Sequence, residues 1–302
     1  MPDQRRNYHS IVLVKQVPDT RHITGDVMTP EGTMNRSALP AIINPEDLNA
    51  LEMALQVREK YGGAVTVLTM GPLQAAEVLR EALYRGADQV ILLSDRKFAG
   101  ADTQATSYTL KCAIEKIGSF DLVFCGRQAI DGDTAQVGPQ VAEKLGIPQV
   151  TYAESIMSLD DGTIIVQRAF EPGAELVKCT LPCLLTVVNS ANVPRPPSAR
   201  KRIAYKLAAI PAEYPSLLKK MPEFGSIDAL DAYLAGRNLK IPVWTAADLH
   251  LDESQIGLNG SPTQVYKVNF VVLESTESQE IPPTMEGIRR MIEELVKEYI
   301  VG

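Results

Sequence analysis

The feature that most constrains this chain is an alternation, in its first half, between short unbroken apolar runs and helical patterns. Residues 11–14, 64–69, 89–93 and 122–125 are compact, largely apolar runs bounded by polar residues or glycine. Runs without polar alternation suit strands covered on both faces. Between the first two, Asn44-Pro45-Glu46-Asp47 combines an N-cap residue, a proline at the first helical position and acids in the first turn. Leu48, Leu51 and Leu55 follow at helical spacing, and Gly62-Gly63 marks the stop. A second helix is predicted after Gly71-Pro72, with Ala76, Leu79 and Leu83 on one face and Gly86 at its end, and a third from Asp102 to about Ile117. The order β-α-β-α-β-α-β implies an α/β fold with a parallel sheet and right-handed crossovers. In such folds nucleotides sit beyond the carboxyl ends of the strands, at a topological switch point.

After about residue 150 the pattern changes. Residues 150–157, 163–168 and 175–179 read as strands, with Asp160-Asp161-Gly162 as a hairpin turn, and residues 181–189 read as a buried return strand. A Pro-rich, basic stretch follows, from Val193 through Pro194, Pro196 and Pro197 to Arg200, Lys201 and Arg202; it suits a solvated linker or a docking loop. Beyond it lie a short helix pattern at 227–235, irregular chain over 244–279 and an amphipathic helix over 284–299. The last third has little periodic apolar content, so it is expected to act as an arm that needs a surface to wrap.

Composition excludes several classes of function. The chain is 45% hydrophobic and 22% charged, as in ordinary globular proteins, and its net charge of −7 argues against nucleic acid as a partner. The longest apolar stretch, 181–188 with Pro182 inside it, is too short for a bilayer that needs ~20 residues. Residues 11–14 are likewise too short for the core of a signal peptide. Cys112, Cys125, Cys179 and Cys183 show no CxxC spacing, and His9, His22 and His250 are scattered, so no metal site is expected. The sparse cysteines suit a cytoplasmic protein. There is no nucleophile elbow and no P-loop, and Lys15-Gln16-Val17-Pro18-Asp19 stands where a Rossmann glycine fingerprint would follow the first strand.

The stretch with most chemical promise runs from Gly126 to Pro139, between a strand and a helix. Its small residues let a ligand approach the backbone, exposed amides at a helix start suit a phosphate, and Thr134 and Gln136 add polar side chains. A plain strand-to-helix turn explains it equally well. The segment Phe98-Ala99-Gly100-Ala101-Asp102-Thr103 is a second glycine-containing turn before a helix; capping alone accounts for it, and also for Asn44-Pro45-Glu46-Asp47.

Taken together, these residues resemble the beta subunit of electron-transfer flavoprotein. The resemblance is carried by residues 12–19, the Asn44-Pro45 helix start, Thr69-Met70-Gly71-Pro72, Arg85-Gly86-Ala87-Asp88 and, most specifically, the stretch from Gly126 to Gly138. Val166, Arg168, Glu171, Gly173, Glu175 and Pro182 fall at the family's spacing in its smaller sheet region, with Pro172 as a local departure. The resemblance implies a nucleotide-binding core of the adenine-nucleotide alpha-hydrolase or flavodoxin-like type, with a small β extension and a C-terminal arm. It also implies a division into an α/β domain over 1–206 and, over 207–302, an insertion, arm and terminal helix wrapping an alpha subunit.

The functional implication is a heterodimer whose alpha subunit carries FAD. Ordinary beta subunits hold a structural AMP; in the electron-bifurcating branch a second FAD takes that place, exchanges hydride with NAD(H), and serves ferredoxin and a flavin-dependent dehydrogenase. Three stretches here are similar to the bifurcating branch: Asp131 to Pro139, Ser94-Asp95-Arg96 with residues 98–103, and Gly257-Leu258-Asn259-Gly260-Ser261-Pro262-Thr263. Carried over residue by residue, the family's site places Leu13, Asn44 and Met70 at the adenosine end. Ala129, Ile130, Asp131, Gly132, Asp133, Thr134, Ala135, Gln136, Val137 and Gly138 would hold ribose and phosphates, and Phe98, Gly100, Asp102 and Thr103 would lie at the NAD site. The flavin would do the redox chemistry, so no catalytic acid–base pair is expected. The segment 192–206 matches the family's dehydrogenase-recognition loop, with Ala199 where a leucine is common, and some 35 residues after it are unfamiliar. Both departures point away from the usual acyl-CoA dehydrogenase, with a lactate or other 2-hydroxy-acid dehydrogenase as the alternative.

Overall fold

A computed structural model describes residues 7–19, 40–160, 162–171, 173–263 and 280–298. Asp161 of the hairpin turn, Pro172, residues 264–279 of the irregular chain and Tyr299 of the last helix lie outside them. Residue contacts divide the chain into a unit of 1–264 and a second of 265–302.

The first unit is built on one large sheet. Its strands are β1 (Tyr8–Leu13), β4 (Gly63–Met70), β5 (Gln89–Leu93), β6 (Leu122–Gly126), β7 (Gln149–Asp160), β8 (Thr163–Phe170), β9 (Gly173–Thr180), β10 (Cys183–Val187) and β11 (Val243–Trp244). The short β2 (Gln16–Pro18) and β3 (Ala41–Ile43) pair separately. Across the sheet the order is β11-β5-β4-β1-β6-β10-β7-β8-β9. Every pairing from β11 to β7 is parallel, and β7, β8 and β9 continue as an antiparallel extension. The predicted strands and hairpin are therefore present, in the predicted α/β arrangement.

Both faces of the sheet are covered, which is why its strands read as unbroken apolar runs. Along β1, Val12 faces the side packed by α1 (Pro45–Tyr61) and α2 (Ala76–Arg85), whereas Ile11 and Leu13 face the side packed by α3 (Thr103–Ile117) and α4 (Val137–Leu145). Phe124 and Val123 of β6 divide in the same way. Each large side chain so buried contributes roughly 1.5–3 kcal/mol. Chain crossing from β1 through α1 reaches β4 on one side, while β6 lies on the other. The carboxyl ends of β1 and β6 thus flank a switch point.

Two segments differ from the sequence reading. The basic stretch contains a helix, α5 (Ala199–Tyr205), started by the Ser198 side chain, which accepts from the Lys201 amide. Just before it, Arg195 is paired with Glu52 and Glu59 of α1, so this part is fastened and not a free linker. Residues 208–256 cover the chain's own sheet: Ala208, Ile210, Leu230, Leu234 and Ile241 join one core face, and Leu249 and Ile256 the other. Two short helices, α6 (Tyr214–Lys220) and α7 (Ile227–Gly236), carry part of this cover. Arg80 of α2 anchors it by donating to the Ala208 carbonyl at 2.7 Å and pairing with Glu213. These apolar residues come from turns and short helices, which leave no regular period to read.

The second unit contributes α8 (Met285–Lys297), capped by Thr284 accepting from the Gly287 amide at 3.1 Å. Ile288, Ile292 and Val296 are exposed, four residues apart along one stripe. Among the described residues no helix is long and apolar enough to cross a membrane.

Candidate functional site

At the switch point the first turn of α1 holds the loop after β6 in place. Asp47 accepts from the Lys15 amide (2.8 Å) and the Gly126 amide (2.9 Å), tying together the ends of β1 and β6. Glu46 accepts from the Gln128 amide at 2.9 Å and pairs with Arg127. Asn44, fully buried, grips the loop at two points: its Nδ2 donates to the Gln128 carbonyl (2.9 Å) and its Oδ1 accepts from the Ile130 amide (3.1 Å). The sequence reading of Asn44-Pro45-Glu46-Asp47 as capping alone is therefore corrected. Asn44 makes no side-chain cap; its backbone carbonyl serves the Asp47 and Leu48 amides, which frees the amide side chain for the loop. Two acids directly after Asn-Pro at a strand-to-helix junction were the available sign of Glu46 and Asp47.

Gly126 makes this clasp possible. A Cβ there would lie 2.5 Å from Asp47 Oδ1 and 2.8 Å from both the Asp47 nitrogen and the Glu46 carbonyl carbon. Burial pushes the Asp47 carboxyl up to about 7, against the pull of the Lys15 and Gly126 amides, Asn44 and the Lys15 charge. The unfolded chain releases this proton near the ordinary 3.8, so the folded state binds more protons between the two values. Stability is thus expected to fall as pH rises from about 4 to about 7 and to level off above. Denaturation across that range should show the slope in the native chain and lose this component in Asp47→Asn.

Beyond the clasp the loop reaches outward. Lys15 Nζ pairs with Asp131 at 2.7 Å, and Gln128 donates to Asp133 at 3.1 Å. Asp133 (φ 48°) and Ala135 (φ 52°) take left-handed backbone conformations. Gly132, Asp133, Thr134 and Gln136 are exposed, whereas Gly138 is buried in the first turn of α4. Among the described residues no group accepts from the amides of Thr134, Ala135, Gln136, Val137 or Gly138. Free amides at a loop and helix start are the donor set that a phosphate or pyrophosphate requires, so these residues fit a nucleotide. Leu13 and Met70 end the adjacent strands β1 and β4, next to this loop's anchor.

The second predicted patch follows β5. Asp95 caps a turn over Arg96–Phe98 and also accepts from the Ala246 amide at 3.0 Å. Phe98 is buried in the core, with its ring turned from the surface. Asp102 caps α3 through the Ala105 amide at 3.0 Å, and Gly100 (φ 73°) turns the chain before it. Burial would raise the Asp102 carboxyl, but hydrogen bonds from Thr263 and from α3 amides outweigh it and hold the group below the usual carboxylate range. Thr103 Oγ1 donates to Gln136 Oε1 at 3.0 Å and accepts from Gln140 at 3.2 Å. The structure therefore joins the two predicted patches directly. Beside them, Arg96, Glu253, Leu258 and Asn259 line a cleft of about 200 Å³.

A family model described as the electron transfer flavoprotein domain matches residues 31–211, more than half of the chain. The chain belongs to the electron transfer flavoprotein family. Among its relatives is the electron transfer flavoprotein subunit beta of Thermoanaerobacterium thermosaccharolyticum, 43% identical over 291 residues, covering 96% of this chain and 99% of the relative. The caffeyl-CoA reductase-Etf complex subunit CarD of Acetobacterium woodii is 46% identical over 258 residues, 85% of this chain and 86% of that protein. Protein FixA of Sinorhizobium fredii is 42% identical over 295 residues, 95% of this chain and 92% of that protein. In this electron-transfer beta subunit, His, Cys, Asp and Glu side chains form no metal-holding cluster among the described residues. Burial pushes the Cys125 thiol up, which leaves it protonated behind the loop.

Proposed function

We propose that this beta subunit pairs with an alpha subunit and seats an FAD on the loop from Ala129 to Gly138, with the NAD(H) site at the neighbouring turn around Gly100 to Thr103. Bound there, the flavin supplies the hydride and single-electron chemistry. The chain's own work is to hold it. The amides of Thr134 to Gly138 take the phosphates, Asn44 fixes the loop's entry, and Leu13 and Met70 supply the apolar floor at the strand ends. Lys15, paired with Asp131, balances charge at the rim. In the complete complex, electrons would be exchanged among NAD(H), ferredoxin and a flavin-dependent dehydrogenase, either of the acyl-CoA type or one for lactate or a related 2-hydroxy acid. The exposed basic face of α5 is the candidate dehydrogenase contact, and residues beyond 264 are the candidate arm around the alpha subunit.

The observation that carries this reading is the bond between Thr103 and Gln136, which sets the second turn against the nucleotide loop as hydride exchange between two nucleotides would need. The similarity to a subunit of a reductase-Etf complex supports it. The test is an anaerobic titration of the purified heterodimer with NADH. Bleaching of the flavin absorbance is the expected result. A flavin spectrum untouched by NADH, with AMP recovered from the protein, would overturn it in favour of an ordinary single-flavin electron shuttle.

A further inference from the structure

Residues 253–263 form a strap laid along the turn that leads into α3. Its fit depends on Gly257, which has φ 57° and where a Cβ would lie 2.0 Å from the Lys97 carbonyl oxygen. The Leu258 amide donates to the Ala99 carbonyl at 3.0 Å. Ser261, buried, accepts from the Asp102 amide at 2.8 Å and donates to the Gly257 carbonyl at 2.7 Å. Thr263 completes the strap with two bonds to one oxygen: its amide (3.1 Å) and its hydroxyl (2.7 Å) both donate to Asp102 Oδ2.

Asp102 is therefore held from three sides, with its other oxygen capping α3. An N-cap carboxylate on an exposed turn can swing between rotamers; bonds from Thr263 remove that freedom. The next residue, Thr103, is the one that meets Gln136 of the nucleotide loop. The chain of contacts runs from Thr263 through Asp102 to Thr103, where it branches, one arm to Gln136 and the other through Gln140 to Ser107. Nothing in the capping of α3 itself requires Thr263.

We infer that Thr263 is a positioning residue: through Asp102 it sets the turn at 100–103 against the nucleotide loop, and so tunes binding of the nicotinamide nucleotide without touching it. The binding part rests on the proposed NAD(H) reading of that turn. The test uses the heterodimer carrying Thr263→Val, which keeps the shape and the amide bond but loses the hydroxyl, beside Thr263→Ser, which keeps the hydroxyl. Two readouts are taken: KM and kcat for NADH-driven reduction of a dye, and hydrogen exchange of the amides from Ala101 to Thr106. The valine variant is expected to raise KM for NADH about tenfold with kcat little changed. It should also speed exchange at 101–106, and serine should restore both. An unchanged KM and exchange in the valine variant, or a serine variant as impaired as valine, would overturn the inference. If the native complex is not reduced by NADH, the proposed function fails by itself. Exchange then decides alone: faster in valine and restored in serine supports the positioning role, and no change refutes it.

Discussion

Replacing Gly126 with alanine is expected to cost about 3 kcal/mol or more. The added carbon would stand 2.8 Å from the Asp47 backbone nitrogen and from the Glu46 carbonyl carbon. Neither is the movable end of a side chain; both belong to the first turn of α1. Relief would require α1 to withdraw from β6, breaking the 2.9 Å bond from the Gly126 amide to Asp47 and pulling Asp47 from the Lys15 amide. Denaturant unfolding of the soluble fraction, or loss of that fraction on expression, is the check. Alanine at Gly132, where nothing lies within 4 Å of the added carbon, is the control and should be close to neutral for stability.

The second large effect is expected on nucleotide retention. Asn44→Ala leaves the Gln128 carbonyl and the Ile130 amide without their partner, at a buried position where each lost bond costs roughly 1–3 kcal/mol. The loop then loses its entry point while the sheet below it stays packed. Nucleotide retained after desalting should fall more than about tenfold, and folding stability should drop by roughly 2–6 kcal/mol for the two bonds together. Asn44→Asp is the sharper variant. It keeps an acceptor for the Ile130 amide but sets a carboxylate against the Gln128 carbonyl, so at neutral pH it should retain no more nucleotide than alanine does. A variant that retains nucleotide as the native protein does would remove Asn44 from the account.

Much of this arrangement was legible in the sequence. The apolar runs at 11–14, 64–69, 89–93 and 122–125 became central strands because strands buried on two faces need no polar alternation. The glycines after the first two helices, Gly62 and Gly86, stand at their ends as read. The connection from β6 to α4 was recognisable from its small residues between a strand and a helix. Less visible was what holds it, because Asn44, Glu46 and Asp47 each have a sufficient local explanation as helix-start residues. Only the parallel pairing of β1 with β6 brings their side chains to the Gly126–Ile130 backbone, some 80 residues away in sequence. The link between Thr103 and Gln136 was hidden for the same reason, since it depends on α3 and α4 packing side by side. The cover supplied by residues 208–256 escaped detection because its apolar residues follow neither a strand nor a long-helix period.

The central claim is that the loop from Ala129 to Gly138 seats a flavin dinucleotide in this subunit. The most direct measurement is the nucleotide content of the heterodimer, extracted and separated by chromatography, with the Asn44→Ala heterodimer run in parallel. The account predicts about two FAD per heterodimer and no AMP, with one of the two lost in the Asn44 variant. One FAD with one AMP per native heterodimer would contradict it.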